Sequence, residues 1–64
     1  MNDYAYLMKH YEESTESGIN SGRITFLSIR KDGIQLYNYS NGPDFDNLDM
    51  GGKKVFTKLL ELFN

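Results

Sequence analysis

His10 is the only histidine of the chain, and two carboxylates, Glu12 and Glu13, follow it in the stretch "MKHYEES". Histidine beside carboxylates is the raw material of general acid–base catalysis. The chain has no cysteine to serve as a nucleophile next to that histidine. A fold of 64 residues also offers little concavity in which a carboxyl pKa could be shifted. The acids therefore read as a solvated charge run and His10 as a strand-edge side chain. A second acidic set, Asp44, Asp46 and Asp49 in "DFDNLD", places carboxylates at alternating positions and invites a calcium-loop reading. Counted from Asp44, the sixth and twelfth positions hold Asp49 and Val55, where a calcium loop needs Gly and Glu. Helix capping and an exposed loop account for these acids more simply. "GGKK" at 51–54 resembles the end of a phosphate-binding loop, but G-x-x-x-x-G-K-[ST] fails at its first glycine and at its final hydroxyl. The chain thus reads as a non-enzyme, with no catalytic residue, no metal site and no cofactor.

The elements that position these residues follow from patterning. Tyr4 to Tyr11 alternates, with Tyr4, Tyr6 and Met8 on one side and Ala5, Leu7 and Tyr11 on the other, which predicts a strand. "EESTESGINSG" has the composition of a connecting loop, with Gly18 and Gly22 as candidates for positive φ. In "RITFLSIR" the core candidates are Ile24, Leu27 and Ile29. Ile24 and Leu27 are three apart, so either a β-bulge near Thr25 and Phe26 shifts the phase or Phe26 joins Ile24 on a second covered face. Asp32-Gly33 between apolar runs is a hairpin signal, and Ile34 to Ser40 is the returning strand. An Asn, Gly and Pro cluster ends it. Val55, Phe56, Leu59, Leu60 and Phe63 then recur at helical spacing, with Asp49 as the N-cap and Gly51 and Gly52 weakening the first turn. The predicted fold is α+β, a single domain over 1–64. A three-stranded antiparallel sheet is followed by one C-terminal helix in the order β-β-β-α, with the helix on one face. The other face is expected to expose Tyr37 and Tyr39 as a contact surface.

Composition limits the partners. A chain this short buries only about 60% of its unfolded surface and needs good packing or self-association when it lacks disulfides. Five tyrosines and four phenylalanines are many for its length and point toward a homodimer. No apolar run reaches the roughly 18 residues of a membrane span, and the N-terminus lacks the basic and apolar regions of a secretory signal. A cytoplasmic protein with no membrane partner is expected. The net charge of −2 is spread in blocks: Glu12, Glu13 and Glu16, then Arg23, Arg30 and Lys31, then Asp44, Asp46 and Asp49, then Lys53, Lys54 and Lys58. Complementary patches of this kind suit a protein partner. The alternative is nucleic acid, since Phe26, Tyr37 and Tyr39 beside Arg23, Arg30 and Lys31 could stack bases. The acidic blocks would repel its phosphates.

The stretch "KHYEESTESGINSGRITFLSIRKDGIQLYNYSNGPDF" resembles a family of small uncharacterised proteins carried by phages and mobile elements of Gram-positive bacteria. Its pattern runs approximately K-H-Y-E-E-P-S-x-x-G-I-x-x-G-R-I-S-x-L-x-I, then a turn, then N-Y-D-x-G-W-D, an acidic linker and a closing helix. Lys9, His10, Tyr11, Glu12, Glu13, Gly18, Ile19, Gly22, Arg23, Ile24, Leu27, Ile29, Asn38, Tyr39, Gly42 and Asp44 match it. Pro43 stands where that pattern has Trp, and "MGGKK" replaces its Glu-rich helix start. The resemblance implies a setting in the host bacterial cell. There, a small phage protein without catalytic equipment is expected to bind a host defence protein and inhibit it stoichiometrically. The expected contact surface is Glu12, Glu13, Glu16 and Arg23 with Tyr37 and Tyr39. Arg23 is expected to bridge Glu12 or Glu13 and so fix the long loop to the sheet.

Overall fold

Asp32 and Gly33 both adopt positive φ, 52° and 78°, the conformation that lets a two-residue loop match the twist of the strands it joins. From this turn grow β2 (Ile24–Lys31) and β3 (Ile34–Ser40), with Lys31 opposite Ile34. The computed structural model describes residues 3–64. In it, β1 (Tyr4–His10) pairs antiparallel with β2, β4 (Pro43–Asp46) pairs antiparallel with β3, and helix α1 (Met50–Phe63) follows. The sheet order is β1-β2-β3-β4. The α+β class and the C-terminal helix agree with the sequence reading, whereas the sheet has four strands and not three.

The extra strand comes from the cluster read as a terminator. Asn41 (φ 55°) and Gly42 (φ 157°) turn the chain, Ser40 N donates to Gly42 O at 3.0 Å, and Pro43 begins the edge strand. Proline is tolerated there because an edge position can dispense with its N–H. All four β4 residues are exposed, so no burial alternation marks the strand.

Two bulges decide which side chains become core. Between β1 and β2 the register steps from Lys9 opposite Phe26 to His10 opposite Ile24, leaving Thr25 unpaired. Of the two alternatives the sequence leaves open, this is the bulge near Thr25 and not Phe26 joining Ile24 on a second covered face, and it brings Ile24, Leu27 and Ile29 to one face with none of their surface exposed. Between β2 and β3 the register steps from Arg30 opposite Gln35 to Ile29 opposite Tyr37, so Leu36 is the extra residue. An unbulged hairpin would put Leu36 and Asn38 opposite Ile29 and Leu27. With the bulge, Tyr37 and Tyr39 take those places and join the core, while Ile34 is left 64% exposed. The expectation that Tyr37 and Tyr39 form an exposed surface is therefore corrected: each is only 8% exposed.

Helix α1 lies on this same face. Asp49 caps it, its Oδ1 accepting from Gly52 N at 2.7 Å, as its position in the sequence predicts. Val55 and Leu59 are buried, and Phe56, Leu60 and Phe63 pack beside them against the core. The Phe56 ring lies 4.9 Å from Tyr37 and the Phe63 ring 5.4 Å from His10. Burying a side chain such as Leu59 stabilises a fold by about 1.5–3 kcal/mol, so this seam is what holds the helix down.

Candidate functional site

The segment between β1 and β2 carries Glu12, Glu13 and Glu16, all exposed, with Tyr11 46% exposed beside them. Its backbone is closed across its base. Tyr11 N donates to Arg23 O at 3.0 Å and Thr15 N to Gly22 O at 2.9 Å, while Gly22 N donates to Ile19 O at 2.9 Å. Ile19 is buried in the core, and the Tyr39 hydroxyl donates to Ser17 O at 2.7 Å. The carboxamide of Asn64 completes the brace: Oδ1 accepts from Ile24 N at 2.9 Å and Nδ2 donates to Ile19 O at 3.0 Å. One side chain from the end of α1 thus stands in for a strand of backbone between the loop and β2. Residues from three parts of the chain hold the acidic segment in one shape.

Two expectations about this loop change. No ion pair between Arg23 and Glu12 or Glu13 occurs among the described residues. Arg23 is partly buried, and its main-chain carbonyl, not its guanidinium, makes the tie to the end of β1. Gly18 and Gly22 have ordinary φ values of −74° and −98°, whereas the left-handed residues are Asn20 and Ser21 at 53° and 57°. The glycines serve close approach instead. A Cβ on Gly18 would overlap the Gly22 carbonyl, and one on Gly22 would overlap the Asn64 carboxamide.

What this arrangement can do is electrostatic. Tyr11, Glu12, Glu13, Ser14 and Thr15 line a shallow, open hollow. A braced loop presenting three carboxylates and a tyrosine complements a cationic surface, and its rigidity limits the entropy lost on binding. The buried Thr15 hydroxyl at its base has no hydrogen-bond partner.

Tyr37 and Tyr39 are not beside this loop as surface groups. The Tyr37 hydroxyl is pushed up to about 12, first by burial and then by the nearby Asp46 carboxylate. Tyr39 serves the loop from below through Ser17. The face of the sheet turned away from α1 carries a different set: Leu7 (68% exposed) and Phe45 (46%) at its edges, with Ser28 and Asn38 between them. The alternation of β1 foreshadows Leu7, opposite in direction to Tyr6 and Met8. Phe45 could be found only by reading Asn41-Gly42 as a second hairpin turn.

Tyr4, Lys31 and Asp49 form a structural cluster at the start of the helix. The Tyr4 hydroxyl donates to Asp49 Oδ1 at 2.7 Å, and the Lys31 ammonium sits 5.1 Å from the Tyr4 ring centroid. The hydrogen bonds from Tyr4 and from Gly52 N hold the Asp49 carboxyl below the ordinary carboxylate range, as suits a helix cap. Among the described residues, no group of three His, Asp or Glu side chains is placed to hold a metal ion, and no helix is long and apolar enough to cross a membrane.

These features define a small α+β domain whose distinctive exposed elements are a braced acidic loop and one open sheet face. The chain belongs to the family described as Domain of unknown function (DUF7678), which matches residues 1–64. No curated protein and no solved structure matches the chain.

Proposed function

We propose that this domain acts by stoichiometric binding to a protein, without catalysis, as a phage-encoded inhibitor of a bacterial anti-phage defence system in the host cytoplasm. The observation that carries the reading is the loop itself. Glu12, Glu13 and Glu16 are exposed on a segment tied down by Asn64, Tyr39 and the Arg23 carbonyl. Fixed carboxylates of one sign select a partner with a basic surface, and proteins that handle nucleic acid carry such surfaces. Arg23 acts as a positioning residue at the base of the loop. Tyr37 and Tyr39 contribute from the core by holding the loop and the sheet, not by touching the partner.

The alternative, a nucleic-acid-binding accessory protein, loses its stacking tyrosines to the core and retains Phe26 and Arg30 on the open face. A protection assay tests the inhibitor reading. Expression in a bacterium carrying an active defence system is expected to restore plating of the phage which that system restricts. The Glu12→Gln/Glu13→Gln/Glu16→Gln variant is expected to restore it far less. Unchanged restriction across a panel of defence systems would count against inhibition, and full activity of the triple variant would move the contact elsewhere.

A further inference from the structure

The two edges of the sheet differ. β4 is blunted against further pairing: it has four residues, opens on Pro43, steps in register past Asp44, and carries the Asp44 and Asp46 carboxylates. β1 lacks most of this protection. It runs seven residues from Tyr4 to His10, pairs with β2 without a break as far as Lys9, and has no neighbour on its outer side among the described residues. Its one charged side chain before His10 is Lys9, whose ammonium lies 5.6 Å from the Tyr11 ring centroid. Tyr11 N donates inward to Arg23 O, and in an antiparallel ladder the inward groups recur at every second residue. Those of Lys9, Leu7 and Ala5 therefore also face β2, and the N–H and C=O groups of Tyr6 and Met8 face outward. Apolar side chains flank these free groups on both sides of the sheet. Tyr6 (44% exposed) lies on the helix side, opposite Ile29, and Leu7 (68%) lies on the other, opposite Ser28.

We propose that the β1 edge binds an extended segment of a protein partner, antiparallel to β1, in which basic residues precede an alternating apolar strand. Outward N–H and C=O groups recurring at about 7 Å along an edge are matched by the main chain of another strand. Its side chains then cover Tyr6 on one face and Leu7 on the other. Antiparallel pairing continues the pattern of the whole sheet and is the more stable of the two ladders. Charge sets which end of the segment is basic. At His10 the edge runs directly into Glu12, Glu13 and Glu16, with Lys9 and the partly buried Arg23 as the cations nearby. At the other end Arg30 and Lys31, across from Ala5 and Tyr4, are balanced by Asp3 and Asp49. An antiparallel segment enters at the His10 end, so its cations come before its strand. A second copy does not fit this description, because its β1 is preceded by Asp3, which would be carried toward Glu12 and Glu13. The requirement for cations rests on the reading of the acidic loop as a protein-contact surface, whereas the requirement for a strand rests on the edge alone.

Selection of a displayed library of random peptides on the immobilised chain tests the proposal. Enriched peptides are expected to carry Lys or Arg ahead of alternating apolar residues. Hydrogen exchange of the unmodified chain, with and without a synthetic copy of the most enriched peptide, then locates the contact. The Tyr6 and Met8 amides are expected to exchange freely in the unbound chain and to become protected by the peptide, while the Leu7 amide is protected in both. A chemically synthesised chain with N-methyl at Met8 loses one outward donor and keeps every side chain. It is expected to bind the peptide at least about ten-fold more weakly. Glu12→Gln/Glu13→Gln/Glu16→Gln is expected to weaken binding several-fold and to leave the same amides protected. Failure to enrich any peptide would overturn the proposal. So would a bound peptide that leaves Tyr6 and Met8 unprotected, a result that spares the reading of the loop when the triple variant still weakens binding. Enriched strands without cations, indifferent to the triple variant, would overturn the requirement for cations together with the reading of the loop. Protection of Tyr6 and Met8 that rises with protein concentration alone would assign the edge to a second copy and likewise overturn the proposal.

Discussion

At the scale of single residues, Asn64 and Tyr37 carry the most weight for the loop and the core. Asn64 satisfies one donor on β2 and one acceptor on the loop at once. Asn64→Ala leaves both part-buried backbone groups without their partner, and stranding such groups costs about 1–3 kcal/mol. In a domain of this size, each 1 kcal/mol corresponds to about 4–8 °C in Tm. Thermal unfolding of the variant is expected to show a loss of about 4–24 °C, with the loop amides exchanging faster. Tyr37 makes stability sensitive to alkali. Its folded-state value of about 12 lies above the ordinary 10.0, so the native state holds the proton more tightly than the unfolded state does. Its contribution is complete below pH 10 and is lost as pH rises from 10 toward 12. Urea unfolding at a series of pH values is expected to show that decline, and Tyr37→Phe is expected to flatten it. An identical decline in both proteins would assign the alkaline sensitivity to other groups.

At the scale of elements, contacts override propensity at the start of the helix. Glycine in a helix is about 1 kcal/mol less favourable than alanine, so Gly51→Ala ought to stabilise α1. A Cβ at that position, however, would overlap the Tyr4 hydroxyl that caps Asp49 from β1. Gly51→Ala is expected to give no gain in the unmodified protein and to recover about 1 kcal/mol in a Tyr4→Ala background. A double-mutant cycle by chemical denaturation measures the difference. Equal effects in the two backgrounds would show that Tyr4 does not constrain the glycine.

The same contest between local signal and packing explains what could be read from the sequence. Asp49, the Asp32-Gly33 turn and the apolar stripe from Val55 to Phe63 were legible because each depends on its near neighbours, whereas the bulge at Thr25 was legible only as one of two alternatives that the cross-strand register decides. The four-strand count was not, because β4 is exposed along its whole length and Pro43 reads as a breaker. The faces of β3 were not legible either. The bulge at Leu36 reverses which residues of β3 face the helix, and it is favoured by tertiary contacts: Tyr37 against Phe56, and the Tyr39 hydroxyl on Ser17 O. A one-residue slip exchanges every side chain between faces, so Tyr37 and Tyr39 move together from surface to core. Of the candidate site, Glu12, Glu13 and Glu16 are exposed as their charge predicts. Arg23 ties the loop through its main-chain carbonyl, and Asn64 braces it from the far end of the chain, and neither contact is marked by side-chain pattern in the sequence.

At the scale of the whole molecule, the covered face and the open edge of one thin sheet have separate tasks. The helix-covered face supplies stability and, through Tyr39 and Asn64, a fixed shape for the acidic loop. The β1 edge offers unpaired backbone beside that loop. On this account the partner of the loop is cationic, and the sign of its charge separates a protein target from nucleic acid. The most direct measurement is affinity capture from nuclease-treated lysate of a bacterium bearing defence systems, comparing the unmodified chain with Glu12→Gln/Glu13→Gln/Glu16→Gln. The account predicts one defence protein recovered in stoichiometric amount by the unmodified chain and lost with the triple variant. Nucleic acid recovered from untreated lysate, and bound more tightly once the three carboxylates are removed, would contradict it.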